Sequence, residues 1–224
     1  MKIINSLLLL FGIFVCVQSA IPNEFFYLRQ MGPSDCIGNK CTVPSWYRQF
    51  AVHVFSARND TYVPTNCDSN YPFSLDEIQS LVPDLSLEWP DFWNFDAPEG
   101  FWKTNWEKHG TCLLETLQNE YNYFETTLIL KTYLDVEEMM IENKIFPSNT
   151  TSYSYDQYDN AIIRHTLKKP TIHCTKWGNK IALHEFGFCF NKQLQLIDCS
   201  ENLREIEEVE CGDKSSIYMI QLSQ

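Results

Sequence analysis

The spacing of apolar positions switches between a period of two and a period near 3.6, dividing the chain into strands at both ends and helices between. Residues 24–29 and 49–55 are short aromatic and β-branched runs bounded by turn residues, which predicts strands. Residues 74–82 open with Ser-x-x-Glu, where Ser74 caps and Glu77 supports a short helix start. Residues 100–109 predict another helix, closed by Gly110 where a left-handed C-cap is favoured. Between 120 and 144, Tyr123, Phe124, Leu128, Leu130, Leu134, Met139 and Ile141 form an approximately helical stripe, read as one or two helices. Residues 180–190, 193–198 and 216–222 are strand candidates, the first two joined by a turn around Asn191 and Lys192. The expected fold class is α+β, with a largely antiparallel central sheet flanked by helices. No repeat, Gly/Ser linker or low-complexity tract divides residues 20–224, which are read as one domain.

The N-terminus reads differently. Met1-Lys2 precedes an apolar run at 7–17 and the small residues Ser19 and Ala20, which predicts a signal peptide over 1–19 with Val17 at the −3 position. The run is far shorter than the roughly 20 residues that span a bilayer, and no later segment qualifies. A secreted chain without stable membrane association, and monomeric, is the expectation. Removing the signal removes Cys16 and leaves eight cysteines, an even count that implies four disulfides in a secreted protein. Cys36 and Cys41 enclose a tight loop containing Gly38, and Cys174, Cys189, Cys199 and Cys211 cluster near the C-terminus, leaving Cys67 and Cys112 as the long-range pair. There is no CxxC, so neither a metal site nor a cofactor is expected. Sequons begin at Asn59 and Asn149, which are expected to carry glycans on exposed loops.

Composition narrows the function. With 15 Phe, 11 Tyr and 6 Trp against 21% charged residues, the chain is no disordered segment. Its net charge of −12 excludes a tight nucleic-acid binder resting on many phosphate contacts. It leaves room for an enzyme that holds RNA briefly at a local site.

Two histidine segments carry candidate chemistry. Strand alternation places Ala51, His53 and Phe55 on one face and Phe50, Val52 and Val54 on the other, presenting His53 from a rigid strand. On the helix around residues 101–109, Trp102 and Trp106 are i,i+4 neighbours, as are Asn105 and His109. The tryptophans bury one face while Asn105, Lys108 and His109 project toward a cleft, with Lys103 adding charge. A Cys67–Cys112 bridge would tie this segment to the chain leaving His53. His165, in a polar connection, His173 and His184 are read as structural or surface residues. The acidic run Glu201, Glu205, Glu207, Glu208 and Glu210 is read as a solvated face or loop.

The segment Trp106-Glu107-Lys108-His109-Gly110-Thr111-Cys112 resembles the second active-site segment of the T2-type ribonucleases, a group that includes plant S-RNases and S-like RNases. The likeness extends over nearly the whole chain, through 30–36, 50–53, Leu183-His184-Glu185 to Cys189, and Asp198-Cys199. It implies the disulfides Cys36–Cys41, Cys67–Cys112, Cys174–Cys211 and Cys189–Cys199. It also implies metal-independent cleavage of single-stranded RNA, a transient substrate, through a 2′,3′-cyclic phosphate. By the same resemblance His109 is the general base, His53 the general acid and Lys108 the cation that stabilises charge on the phosphoryl oxygens. The chain departs from the family pattern in two places. Val54 and Ser56 stand where the family has Gly and a base-stacking Trp, and Thr104 and Asn105 where many active members have His and Glu. An amide at 105 can still orient His109 by a hydrogen bond. These departures predict altered base preference, and they also motivate a second reading: a protein of the same fold that binds a protein or glycan partner without turnover.

Overall fold

A computed structural model describes residues 25–36, 41–44, 47 and 50–221. The expected signal peptide, together with Glu24, Gly38, Gln49 and Leu222 from the elements above, lies outside the described residues. Strands β1 (Phe25–Met31), β2 (Ala51–Arg58), β3 (Thr171–Trp177) and β4 (Lys180–Phe190) form an antiparallel sheet in the order β2-β1-β4-β3. Two-residue strands β5 (Leu196–Ile197) and β6 (Ile217–Tyr218) add to β4, the first antiparallel and the second parallel. Helices α1 (Val82–Glu88), α2 (Glu99–Lys108), α3 (Leu114–Leu117), α4 (Glu120–Tyr133) and α5 (Val136–Glu142) lie in sequence between β2 and β3, followed by α6 (Tyr155–Thr166); α7 (Glu201–Glu207) follows β5. The fold is α+β, held by disulfides Cys36–Cys41, Cys67–Cys112, Cys174–Cys211 and Cys189–Cys199.

Several local expectations change. The stripe over 120–144, read as one or two helices, is two: it breaks at Leu134, and Asp135 restarts it as α5 by accepting the Glu138 N–H. Ser74 makes no side-chain cap. Its own N–H donates to the Glu120 carboxylate instead, and Leu75–Leu81 wind as a 3₁₀ helix. Gly110 has no left-handed backbone; a Cβ there would lie 2.3 Å from the Trp106 ring, so close packing demands the glycine. The strand expected over 180–190 is β4 with the same bounds, whereas those expected over 193–198 and 216–222 shrink to the two-residue β5 and β6, and α6 and β3 were hidden by polar residues within them. The signal for α6 is its capping box, Ser154 with Gln157, and His165 on this helix pairs with Glu142 at 3.2 Å. The acidic run is helical: Ser200 accepts the Leu203 N–H to cap α7.

One side of the sheet packs on the helices through Phe26, Leu28, Val52, Phe55, Phe186 and Phe188. Tyr123 of α4 is the hub of this core. Its ring lies 6.2 Å from Phe55, 5.7 Å from Trp106 and 5.8 Å from Trp89, and its hydroxyl donates to the Phe55 carbonyl at 2.9 Å. β2 is an edge strand, so this bond satisfies a backbone group the ladder leaves open. α2 is fixed to the same core, since Trp102 donates to the Trp89 carbonyl at 2.7 Å and Trp106 to that of Tyr71 at 2.9 Å. The aromatic cluster thereby sets the end of α2 against β2. Tyr123→Phe leaves the Phe55 carbonyl unpaired and should lower stability by about 1–2 kcal/mol in urea denaturation, with the fold retained.

Candidate active site

His53 is placed by a β-bulge. Arg29 pairs with Val54 and Gln30 with Val52, so His53 is the extra residue of β2. Strict alternation fails here: Val52 and Phe55 both enter the helix-side core, while His53 and Val54 both line the opposite, open side. The face assignment read from the sequence is thus corrected for Phe55 and Val54. A second bulge falls in β4, where His173 pairs with Glu185 and Cys174 with Leu183, leaving His184 as the extra residue. It shifts Leu183 and Phe186 into the core together and puts Glu185 on the face of His53.

A cleft of about 400 Å³ opens between this face and α2. Its walls include His53, Val54, Ser56, Arg29 and Arg58 from the sheet, Phe101, Thr104, Asn105, Lys108 and His109 from α2 and its C-cap, and Val63 and Thr65 from the loop after β2. Both expected histidines and Lys108 therefore border one cavity. Lys103 does not; it is exposed and lies 3.9 Å from Glu107. The cleft's other cations, Arg29 and Arg58, were not singled out from the sequence, and each is paired, with Glu185 and Glu207 respectively. Among the described residues no carboxylate lines the cavity, so a protein of net charge −12 still offers a locally basic surface.

His109 sits at the C-cap of α2, its N–H donating to the Asn105 carbonyl at 2.9 Å. Burial, then the charges of Lys108, His53 and Arg29, pull its pKa down to about 4. The imidazole is neutral at ordinary pH and able to take a proton. The expected orienting bond from Asn105 is not made: its amide donates to the Phe101 carbonyl at 3.2 Å, one turn back, and His109 Nδ1 is buried without a hydrogen-bond partner. Thr104 likewise turns to its own helix, donating to the Gly100 carbonyl.

His53 is held from below. Its Nδ1 contacts the carboxylate of Glu185, which is fully buried and also paired with Arg29. Burial alone would raise the Glu185 pKa, but Arg29, then His53 and His184, outweigh it and keep the group below the usual carboxylate range. An ionised carboxylate only accepts, so Nδ1 carries the proton and Nε2 is left for the cleft. The Phe101 ring lies nearly parallel to His53 with centroids 6.4 Å apart. Deeper in the face, Tyr27 Oη bonds Thr171 Oγ1 and, at 2.8 Å, His173 Nε2, while His173 Nδ1 meets Glu207 at 3.1 Å. Gly187 makes room for this array, since a Cβ there would lie 2.1 Å from Tyr27 Oη. Glu207 therefore anchors Arg58 and His173, and is not merely a solvated acid.

Comparison with known proteins matches this architecture. Residues 23–199 fit the model of the Ribonuclease T2 family. The chain belongs to the ribonuclease T2 family. It is similar to Ribonuclease Oy of Magallana gigas, 28% identical over 88% of this chain and 95% of that one. It is also similar to Extracellular ribonuclease LE of Solanum lycopersicum, 30% identical over 79% and 80% of the two chains. Among solved structures, Japanese pear S3-RNase superposes with a TM-score of 0.74 at 27% identity, covering 87% of this chain and 99% of the other. Ser56 is buried on the cleft face, and of the two aromatic rings on the cleft wall Tyr27 is buried and Phe101 half-buried.

Proposed function

We propose that the cleft cleaves single-stranded RNA without a metal by acid–base catalysis between His109 and His53. The chain is a T2-type endoribonuclease; what is proposed is the route and the residues. In the transfer step the 2′-oxygen bonds to phosphorus as the bond from phosphorus to the 5′-oxygen breaks. The 2′-hydroxyl proton passes to His109, and a proton on His53 Nε2 passes to the departing 5′-oxygen, leaving a 2′,3′-cyclic phosphate. Lys108, which has no carboxylate partner among the described residues, stabilises the charge on the phosphoryl oxygens. The observation that carries this reading is a neutral imidazole, a carboxylate-held imidazole and an unpaired ammonium on the walls of one cleft.

RNA contact is local and transient in this reading, because only the cleft opposes the protein's net negative charge. The chain acts as a secreted monomer, with residues 1–19 as a signal peptide and residues 20–224 as one T2 domain. Among the described residues no helix is long and apolar enough to cross a membrane. Glycans are proposed at Asn59 and Asn149. Asn149 is exposed, and its side chain already pairs with the backbone of Gln221. Asn59 is half-buried at the end of β2.

The test uses a single-stranded oligoribonucleotide in EDTA and the same oligomer with one 2′-deoxy residue. Cleavage should persist in EDTA and stop at the bond following the deoxy residue. Cleavage at that bond would overturn 2′-hydroxyl attack.

A further inference from the structure

Resting on the reading of His53 as the general acid, we propose that Glu185 and Arg29 form a positioning pair that fixes the tautomer and direction of His53 throughout turnover. Glu185 does not line the cleft and is fully buried, so it has no route to substrate. Its carboxylate touches His53 Nδ1 and Arg29 Nη2, and His184 Nε2 lies 3.7 Å away. A buried carboxylate facing a histidine alone would have a defect. When the imidazolium gives up its proton, the carboxylate is left as an uncompensated charge in a low-dielectric interior. Arg29 removes that defect, because its charge does not change over the cycle. His53 then alternates between imidazolium and imidazole while Nδ1–H stays on Glu185 and the reactive proton or lone pair stays on Nε2.

The bulges show how the fold builds this arrangement. His53 is the extra residue of β2, and Glu185 immediately follows the extra residue of β4. β1 lies between these strands and carries Arg29. Two irregularities in separate strands bring the acid and its carboxylate to one face, and the intervening strand supplies the cation. Among the described residues His109 Nδ1 has no such support, and Asn105 bonds within its own helix.

A residue that acts through the general acid should matter only when the leaving group needs protonation. The experiment compares uridylyl-adenosine with uridine 3′-(4-nitrophenyl phosphate), whose nitrophenolate departs without a proton. The enzymes are wild type, Glu185→Gln, and the Arg29→Gln/Glu185→Gln pair, which removes both buried charges together. In Glu185→Gln kcat on uridylyl-adenosine should fall at least about tenfold with KM unchanged, while the nitrophenyl ester is turned over within about twofold of wild type; the pair, which also removes a cation from the cleft wall, should still lose more on uridylyl-adenosine than on the nitrophenyl ester. In a His53→Ala background Glu185→Gln should have no further effect on uridylyl-adenosine. Equal losses on both substrates, or an undiminished further loss in the His53→Ala background, would show a general structural role and overturn the proposal. Wild-type cleavage of uridylyl-adenosine by His53→Ala would instead overturn the two-histidine reading beneath it.

Discussion

His109→Ala is expected to lower kcat on single-stranded RNA by about a hundred- to ten-thousand-fold, the usual contribution of a positioned general base. The pH profile gives this loss its particular signature. His109 is pulled down to about 4 from an ordinary value of 6.5, first by burial and then by Lys108, His53 and Arg29. The base works in its neutral form, so its arm of the kcat/KM profile falls as pH drops through about 4, well below where a free imidazole would set it. Lys108→Gln removes the first-named of the charges that depress His109, and should move that acid arm to higher pH. It should also cut the rate by about a hundred- to a thousand-fold, since it removes the cation proposed to stabilise the phosphoryl oxygens. In His109→Ala the acid arm should disappear from the residual activity. Stopped-flow or discontinuous cleavage assays between pH 3 and 8 in constant ionic strength read all three effects.

Removing the Cys67–Cys112 bridge by paired alanine substitution is expected to cost about 4 kcal/mol, the loop-entropy value for a bond that closes a separation of 45 residues. The same model gives only about 2 kcal/mol for Cys36–Cys41, with a separation of 5. Urea denaturation of the two double-alanine variants should show that order. The larger loss also reaches the chemistry. Cys112 lies in the 3₁₀ turn directly after His109, and Cys67 ends the loop that supplies Val63 and Thr65 to the cleft wall. Asn66 N–H donates to the Lys108 carbonyl at 2.9 Å, and Cys67 N–H to Thr111 Oγ1 at 3.2 Å. Without the bridge these two bonds, with that from Trp106 to the Tyr71 carbonyl, are left to hold the loop on the end of α2. The variant should therefore lose kcat even in conditions where it remains folded, whereas loss of Cys36–Cys41 should leave kcat near wild type.

The sequence made α2 and its chemistry legible because a short helix obeys its own period. Trp102 and Trp106 face inward and Asn105, Lys108 and His109 face the cleft, as i,i+4 spacing requires. The strands were legible in place but not in facing. Alternation assumes an unbroken ladder, and one inserted residue in β2 and one in β4 reverse it, so Phe55, Val54 and Glu185 lie on faces that counting does not give. A local trace did exist. His53 interrupts an apolar run between Val52 and Val54, and His184-Glu185 interrupts another between Leu183 and Phe186. Polar residues inside otherwise apolar strands mark sites where the interior has been given a function. Arg29 carried the same trace in β1. Asn105 departs from the expected bond for a different reason: an amide can bond its own helix at Phe101, and i,i+4 proximity to His109 does not decide between the partners. α6 and α7 present few inward positions, and the clearest sequence signals they carry are their caps, Ser154 and Ser200.

Internal transfer between two imidazoles is the route proposed for this cleft. It is tested most directly by mass analysis of the 3′ ends left on a single-stranded oligoribonucleotide incubated in EDTA with wild type, His53→Ala and His109→Ala. Wild type should leave 2′,3′-cyclic phosphate ends at early times, and these should nearly disappear with either variant. Ends lacking the cyclic phosphate at every time, or cyclic ends formed at the wild-type rate by both variants, would contradict it.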